Sequence, residues 1–497
     1  MKLFICMFFL MGIISFRSEA SVIQWQDCSD IEFNDWFKEP ALPILQCGYI
    51  NVPLKYTNDK NINELSSSNE VRLALTKLPA KGVSKGSLVV ISGGPGISGI
   101  DSPLDTEGAA KEIHESWDIV AYDPRGVGRS KPIINCTIEE EPLALENYSQ
   151  DLLNSCIRNT GIDILKHIGT DEAVSDIERI RQAIGNTKLT ALAYSYGTQV
   201  ALLYAERFPN NIQAMVLDGV VDIEEASNTF IMRINQERGY QASFERFAAW
   251  CAKENECPLS ADKVVATQQY TRLLNELYYT PLSGLDGVQV SAQELITLTY
   301  SLLLWKSNWP DLATVVKQIS KGEIDEKLNN ILIQQNIFSP HDFDSTSDNH
   351  QETSDNSTDA LLAITCADFS SPELSRSDIL DYRRKIREAF PAINFLPEQT
   401  DALDLCDLWP WKSNVFTRRS INTVDLPQLF FVAQRHDPTT PWLNARNMAT
   451  QFKGALITLE GDGHTLALSG ISSCVDKAVV DYLNAPQKKQ NDKSCYN

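Results

Sequence analysis

Ser195 is the residue of this chain whose surroundings best suit it to chemistry. It stands in Ala193-Tyr194-Ser195-Tyr196-Gly197, between an apolar run at 188–194 (KLTALAY) and a helix-periodic stretch at 198–208. That stretch sets Val200, Leu203, Tyr204 and Phe208 on one face. A strand that turns sharply into a helix lifts a serine oxygen above a sheet, where it can act as a nucleophile. Such a turn crowds its neighbours, so small residues are needed on either side, and Ala193 and Gly197 supply them. The literal match to Gly-x-Ser-x-Gly, Gly82-Val83-Ser84-Lys85-Gly86, leads into a strand instead, which makes Ser84 a loop residue.

A serine hydroxyl needs a base to take its proton. Where serine sits on a strand-to-helix turn, an acid and then a histidine follow it in the chain. Of the six histidines, His114 and His167 precede Ser195, and His341 and His350 fall in a polar acidic run. His464, in Gly461-Asp462-Gly463-His464-Thr465, directly follows an apolar run at 455–459 (ALITL) and is the candidate base; His436 is its rival. Asp437 follows the apolar run at 427–433 (PQLFFVA) and is the candidate acid, which would fix the histidine tautomer and stabilise the imidazolium. Asp462 lies only two residues from His464, too close to reach its far nitrogen. The developing oxyanion needs two backbone N–H donors. Tyr196 is one candidate, and the glycine-rich loop Ser92-Gly93-Gly94-Pro95-Gly96 offers the other, Gly94 in preference to Gly93. No Gly-Lys-Ser/Thr follows that loop, which argues against a phosphate cradle.

These residues need a sheet to bring them together. Two β-rich segments, at 47–56 and 71–79, precede apolar strands at 87–92 (SLVVIS), 117–122 (WDIVAY), 188–194 and 214–218, with helical stretches between. Short apolar strands alternating with helices predict an α/β fold: a mostly parallel eight-stranded sheet flanked by helices. From 223 to 423 the pattern is helical, and it reads as a large lid inserted after the sixth strand. Within it, residues 339–359 are polar and acidic and read as a mobile loop. The core is thus expected in two parts, 21–222 and 424–497, with two late strands and a closing helix near 474–483. Four tryptophans of the insertion, Trp305, Trp309, Trp409 and Trp411, would either wall a cleft or pack a core.

The first twenty residues read as a signal peptide: Lys2, an apolar run at 3–16, then Ser18-Glu19-Ala20. Export agrees with the cysteines. Eleven are present, Cys6 leaves with the signal, and the remaining ten fall into neighbouring couples: Cys28–Cys47, Cys136–Cys156, Cys251–Cys257, Cys366–Cys406 and Cys474–Cys495. A periplasmic or secreted protein is expected, with no membrane association after signal removal. The formal net charge of −21 opposes binding to nucleic acid. The serine constellation calls for no metal and no organic cofactor.

Taken together, the motifs resemble the tripeptidyl aminopeptidase-like branch of the prolyl aminopeptidase family, serine exopeptidases of the α/β-hydrolase fold. The marks are Gly93-Gly94-Pro95-Gly96, Asp123-Pro124-Arg125-Gly126-Val127-Gly128-Arg129-Ser130, Ser195-Tyr196-Gly197-Thr198, Leu217-Asp218-Gly219, Asp437-Pro438 and Gly463-His464. Segments 364–368 and 406–410 are similar too. Ala193 and Ser92 depart from the usual pattern. The resemblance implies release of short peptides or amino acids from substrates with a free N-terminus. A carboxylate must then hold the substrate ammonium, and Glu224, Glu225 and Asp368 are candidates. The competing expectations are an esterase with the same three residues and a non-catalytic binding protein.

Overall fold

Strands that are apolar at every position belong at the middle of a sheet covered on both faces. The computed structural model puts SLVVI and LTALAY there. It describes residues 23–29, 44–56, 70–102, 108–138, 147–254, 256–283, 289–335, 356–369, 375–395, 404–412, 423 and 425–496. The signal segment lies outside them.

Twelve strands occur among the described residues: β1 (Gln26–Asp27), β2 (Gln46–Pro53), β3 (Glu70–Leu78), β4 (Ser87–Ile91), β5 (Asp118–Tyr122), β6 (Leu189–Tyr194), β7 (Ile212–Asp218), β8 (Leu282–Ser283), β9 (Gln289–Val290), β10 (Phe430–His436), β11 (Ala455–Asp462) and β12 (Lys493–Cys495). Ten form one sheet in the order β1-β2-β3-β5-β4-β6-β7-β10-β11-β12, and β8 and β9 make a separate hairpin. Pairing is antiparallel from β1 to β5 and parallel from β5 to β12. Eight of the ten are the expected strands. The other two, β1 and β12, are short edges, each beside a disulfide: Cys28–Cys47 anchors β1 to β2, and Cys474–Cys495 anchors helix Ser473–Asn484 to β12. Disulfides also join Cys136–Cys156, Cys251–Cys257 and Cys366–Cys406. Such bonds persist in oxidising compartments. Among the described residues, no helix is long and apolar enough to cross a membrane.

Alternation along each strand divides the core between two faces. Val89 and Ile91, Ala191 and Ala193, and Phe431 and Ala433 pack with helices Thr170–Ala183, Tyr196–Arg207 and Trp442–Gln451. Leu88 and Val90, Leu192, and Phe430 and Val432 pack on the other face with helices Ala110–His114 and Ser473–Asn484.

Arg125 ties the antiparallel edge to the first of these faces. Its guanidinium is buried and forms a two-pronged bond to Asp176, Nε to Oδ2 at 2.7 Å and Nη2 to Oδ1 at 2.6 Å. It also donates to the carbonyls of Leu54 and His167, each at 2.8 Å. Removing one partner of such a pair leaves a buried charge unpaired, so Arg125→Met is expected to cost about 3–5 kcal/mol of stability. An unchanged midpoint of urea unfolding, with disulfides intact, would contradict this.

The insertion begins at helix Ile223–Ala226, directly after β7. It is not one lid. Helices Thr229–Cys251, Lys263–Tyr279, Ala292–Leu303, Trp309–Lys321 and Glu326–Gln334 share their own core around Phe244, Phe247, Leu298 and Val315. Helix Ser357–Asp368 packs instead with Val127, Ile134 and Leu152 of the sheet domain and with Trp409 of the insertion. Residues 356–359 were expected to end a mobile acidic loop. They form the start of this helix, because Asn356 is buried and fully engaged: it accepts from Gly128 N at 2.9 Å and donates to Gly126 O and Ile134 O at 2.8 and 2.9 Å. Asp359 accepts from Cys136 N at 2.8 Å. The rest of that run, 339–355, lies outside the described residues.

Candidate active site

Ser195 links β6 to helix Tyr196–Arg207 with φ 52° and ψ −123°. A residue with a side chain adopts such a backbone only where its surroundings over-determine it. Here Ser195 N donates to Asp218 O at 2.9 Å, and Ser195 O accepts from Thr198 N and Thr198 Oγ1 at 2.8 and 2.6 Å. Gly197 has no room for a side chain, since a Cβ would lie 2.4 Å from Ile91 O and 2.6 Å from Ser92 O. The Ser195 hydroxyl makes no hydrogen bond to a described residue.

Asp437 and His464 meet. His464 Nδ1 lies 2.8 Å from Asp437 Oδ2, and both side chains are buried. Asp437 Oδ1 accepts from Thr439 N and Thr440 N at 2.9 and 2.8 Å, so one oxygen shapes the turn while the other faces the imidazole. Burial alone would lower the His464 pKa; the Asp437 carboxylate outweighs it and holds the imidazole above its ordinary value. The ring sits against Gly219, where a Cβ would come within 2.8 Å of Cε1. The backbone of Gly219 follows Asp218, whose carbonyl holds Ser195 N, so Ser195 and His464 flank the end of β7.

Two residues serving this pair were not read from the sequence. Thr440 Oγ1 donates to Asp437 Oδ2 at 2.9 Å and lies 3.2 Å from His464 Nδ1. Its signal was the Asp-Pro-Thr-Thr turn, in which an aspartate captures backbone N–H groups two and three residues on. Asp218, in the Leu217-Asp218-Gly219 motif, supports the loop that carries His464. Its Oδ2 accepts from Leu466 N and Ala467 N at 2.6 and 2.7 Å, which pins the loop after His464, and burial pushes its pKa up to about 6.

The oxyanion candidates lie on either side of Ser195. Tyr196 is the first residue of its helix, so its N–H has no intrahelical acceptor. Gly93 lies opposite, where a Cβ would meet Ser195 Cβ at 3.0 Å; Gly94 has φ 104° and turns the chain toward Gly96 and Ile97. The loop is held from behind by buried Asp123, whose Oδ1 accepts from Ser98 Oγ at 2.5 Å and Gly99 N at 3.0 Å. Its Oδ2 accepts from Arg129 N at 2.6 Å. The Gly-Gly-Pro-Gly and Asp-Pro-Arg-Gly motifs are therefore one unit.

The insertion touches the turn after Asp437 and the backbone of His464. Tyr240 OH lies 2.7 Å from Thr439 Oγ1, His464 N donates to Leu304 O at 2.8 Å, and Trp305 Nε1 donates to His464 O at 2.5 Å. Trp305 is thus the tryptophan that reaches the site, whereas Trp309 and Trp409 are core residues, and Trp411 stacks edge-on against Trp409. The ammonium candidates are already engaged. Glu224 accepts from Gln451 Nε2 at 2.6 Å, Glu225 pairs with Asn235, and Asp368 is buried against Thr170 with its pKa pushed up to about 7 by burial. The rivals fall away: His436 is exposed at the end of β10, Asp462 pairs with Arg246, and Ser84 lies in an exposed turn.

Curated relatives span most of the chain. YuaR of Escherichia coli is 45% identical, covering 98% of this chain and 95% of its own. Serine protease Hip1 of Mycobacterium tuberculosis is 31% identical, covering 93% and 88%. Carboxylesterase B of the same species is 29% identical, covering 88% and 84%. Tripeptidyl aminopeptidase of Streptomyces lividans is 24% identical, covering 97% and 88%. The family model for the alpha/beta hydrolase fold matches residues 86–470, and the chain belongs to that family.

Proposed function

We propose that the protein is an exported serine exopeptidase that releases short N-terminal peptides or amino acids through an acyl-enzyme. The observation that carries the reading is the buried Asp437–His464 pair beside the strained turn at Ser195. Ser195 Oγ attacks the scissile carbonyl while His464 Nε2 takes its proton; Asp437 holds the tautomer that leaves Nε2 free to accept. The hydrogen bond from Ser195 Oγ to His464 Nε2 forms as substrate binds, since catalytic hydrogen bonds commonly tighten only in the substrate complex. N–H groups of Tyr196 and of the Gly93–Gly94 loop receive the oxyanion. His464 then protonates the leaving amine, and water, activated by the same histidine, frees the acyl group.

The substrate class rests on the motifs, on the peptidase relatives Hip1 and tripeptidyl aminopeptidase, and on the large insertion over the site. The relative named carboxylesterase B supports a second reading, ester hydrolysis by the same residues. Tripeptidyl amides with free or acetylated N-termini separate them. An exopeptidase loses most of its kcat/KM on acetylation, because the ammonium contact and the room beyond it are lost together. Equal rates on both series would exclude exopeptidase action.

A further inference from the structure

We propose that helix Ser357–Asp368, although part of the insertion, sets the geometry of the oxyanion hole, with Asp368 and Thr170 as positioning residues for Tyr196. This rests on the reading of Ser195 as nucleophile and deepens it.

The helix reaches both halves of the hole. At its N-terminal end it lies against the glycine-rich loop: a Cβ on Gly96 would meet Leu361 N at 2.5 Å and Ser357 O at 2.8 Å. The backbones are therefore in direct contact, and a shift of the helix must move the loop that carries Gly93 and Gly94. At its C-terminal end Asp368 accepts from Thr170 N at 2.9 Å and from Thr170 Oγ1. Thr170 Oγ1 in turn lies 2.7 Å from Tyr196 OH and accepts from Gln199 Nε2 at 3.2 Å. With its own proton given to Asp368, the threonine oxygen is an acceptor toward Tyr196, so the order is Tyr196 O–H to Thr170 O–H to Asp368 carboxylate. Tyr196 carries the backbone N–H assigned to the oxyanion.

The chain is closed: each hydroxyl has its partner, and the two side chains at its centre, Thr170 and Asp368, are buried. Satisfied networks of this kind rigidify what they hold. The helix is braced at the same two ends, by Asn356 on the turn at 126–134 and by the disulfide Cys366–Cys406. The geometry thus makes oxyanion stabilisation conditional on a docked segment that lies far along the chain from both donors.

Tyr196→Phe removes one hydroxyl and keeps the ring and the backbone N–H; Thr170→Val breaks the same link from the other side. The readouts are kcat and KM on a peptide amide, affinity for a peptide aldehyde whose tetrahedral adduct occupies the hole, and the rate of labelling by a fluorophosphonate. For Tyr196→Phe, kcat and labelling rate are expected to fall about tenfold, with KM changed less than about twofold, since small misplacements of positioned groups cost rate rather than binding. Aldehyde affinity should fall in parallel with kcat, which a structural role alone would not produce. The double variant should be no slower than the slower single one, because both cut one path. Unchanged kcat and aldehyde affinity in both variants would overturn the proposal, whatever happens to the unfolding midpoint, and so would additive losses in the double variant. Failure of the wider reading is distinguishable: Ser195→Ala would then react as fast as the wild type.

Discussion

Replacing Ser195 with alanine is expected to lower kcat by about 10⁶-fold, the loss that follows when a serine nucleophile is removed from an intact constellation. The fold should survive. The side chain makes no hydrogen bond to a described residue, and the turn is held by backbone bonds to Asp218 and Thr198 rather than by the hydroxyl. The backbone strain at φ 52° remains in the variant, so stability should change little. Activity of the alanine variant within about tenfold of wild type would mean that the turn presents a serine with no chemical task, since binding and an oxyanion hole alone give only a small residue of the rate.

Asp437→Asn is the second large effect. Its amide would donate to His464 Nδ1 and so place the ring proton on Nε2, the nitrogen that must accept from Ser195. A fall of about 10⁴-fold in kcat is expected from this wrong tautomer. The pH profile carries the same information. His464 acts as base only when neutral, and Asp437 holds its pKa above the ordinary value. Activity should therefore rise with pH through an acid limb centred above about 6.5, the unperturbed histidine value. Loss of the carboxylate should move the residual limb downward, because burial, which disfavours the imidazolium, is then less opposed. A limb that stays in place would contradict the assignment of Asp437.

The parts of this site that were legible in the sequence are those tied to burial. Uninterrupted apolar runs gave the central strands, and position relative to strand ends then separated Asp437 from Asp462 and His464 from His436. The literal serine motif at Ser84 misleads because pattern without a following helix carries no geometry. Short edges were not legible: two or three residues, as in Gln26–Asp27 and Lys493–Cys495, have no periodicity to detect. Polar residues that serve as partners were not legible either. Asn356 looked like part of a solvated acidic run, yet its amide closes three backbone bonds in the sheet domain. Asp368 looked like a free carboxylate for a substrate ammonium, yet its oxygens are taken by Thr170. Composition records the polarity of such a side chain and not the distant backbone that satisfies it.

That distinction also describes how the insertion relates to the chemistry. Its first part rests on the acid turn through Tyr240 and on the base loop through Leu304 and Trp305, while its second part backs the glycine-rich loop and Tyr196. Residues of the insertion thus bear on each component of the proposed mechanism.

The most direct measurement is mass spectrometry of the protein after reaction with a fluorophosphonate, with peptide mapping of the adduct. One phosphonyl group on the peptide containing Ser195, absent from the Ser195→Ala protein and formed far more slowly in His464→Ala, is the expected result. Labelling of a different residue, or undiminished labelling without Ser195, would show that the nucleophile lies elsewhere.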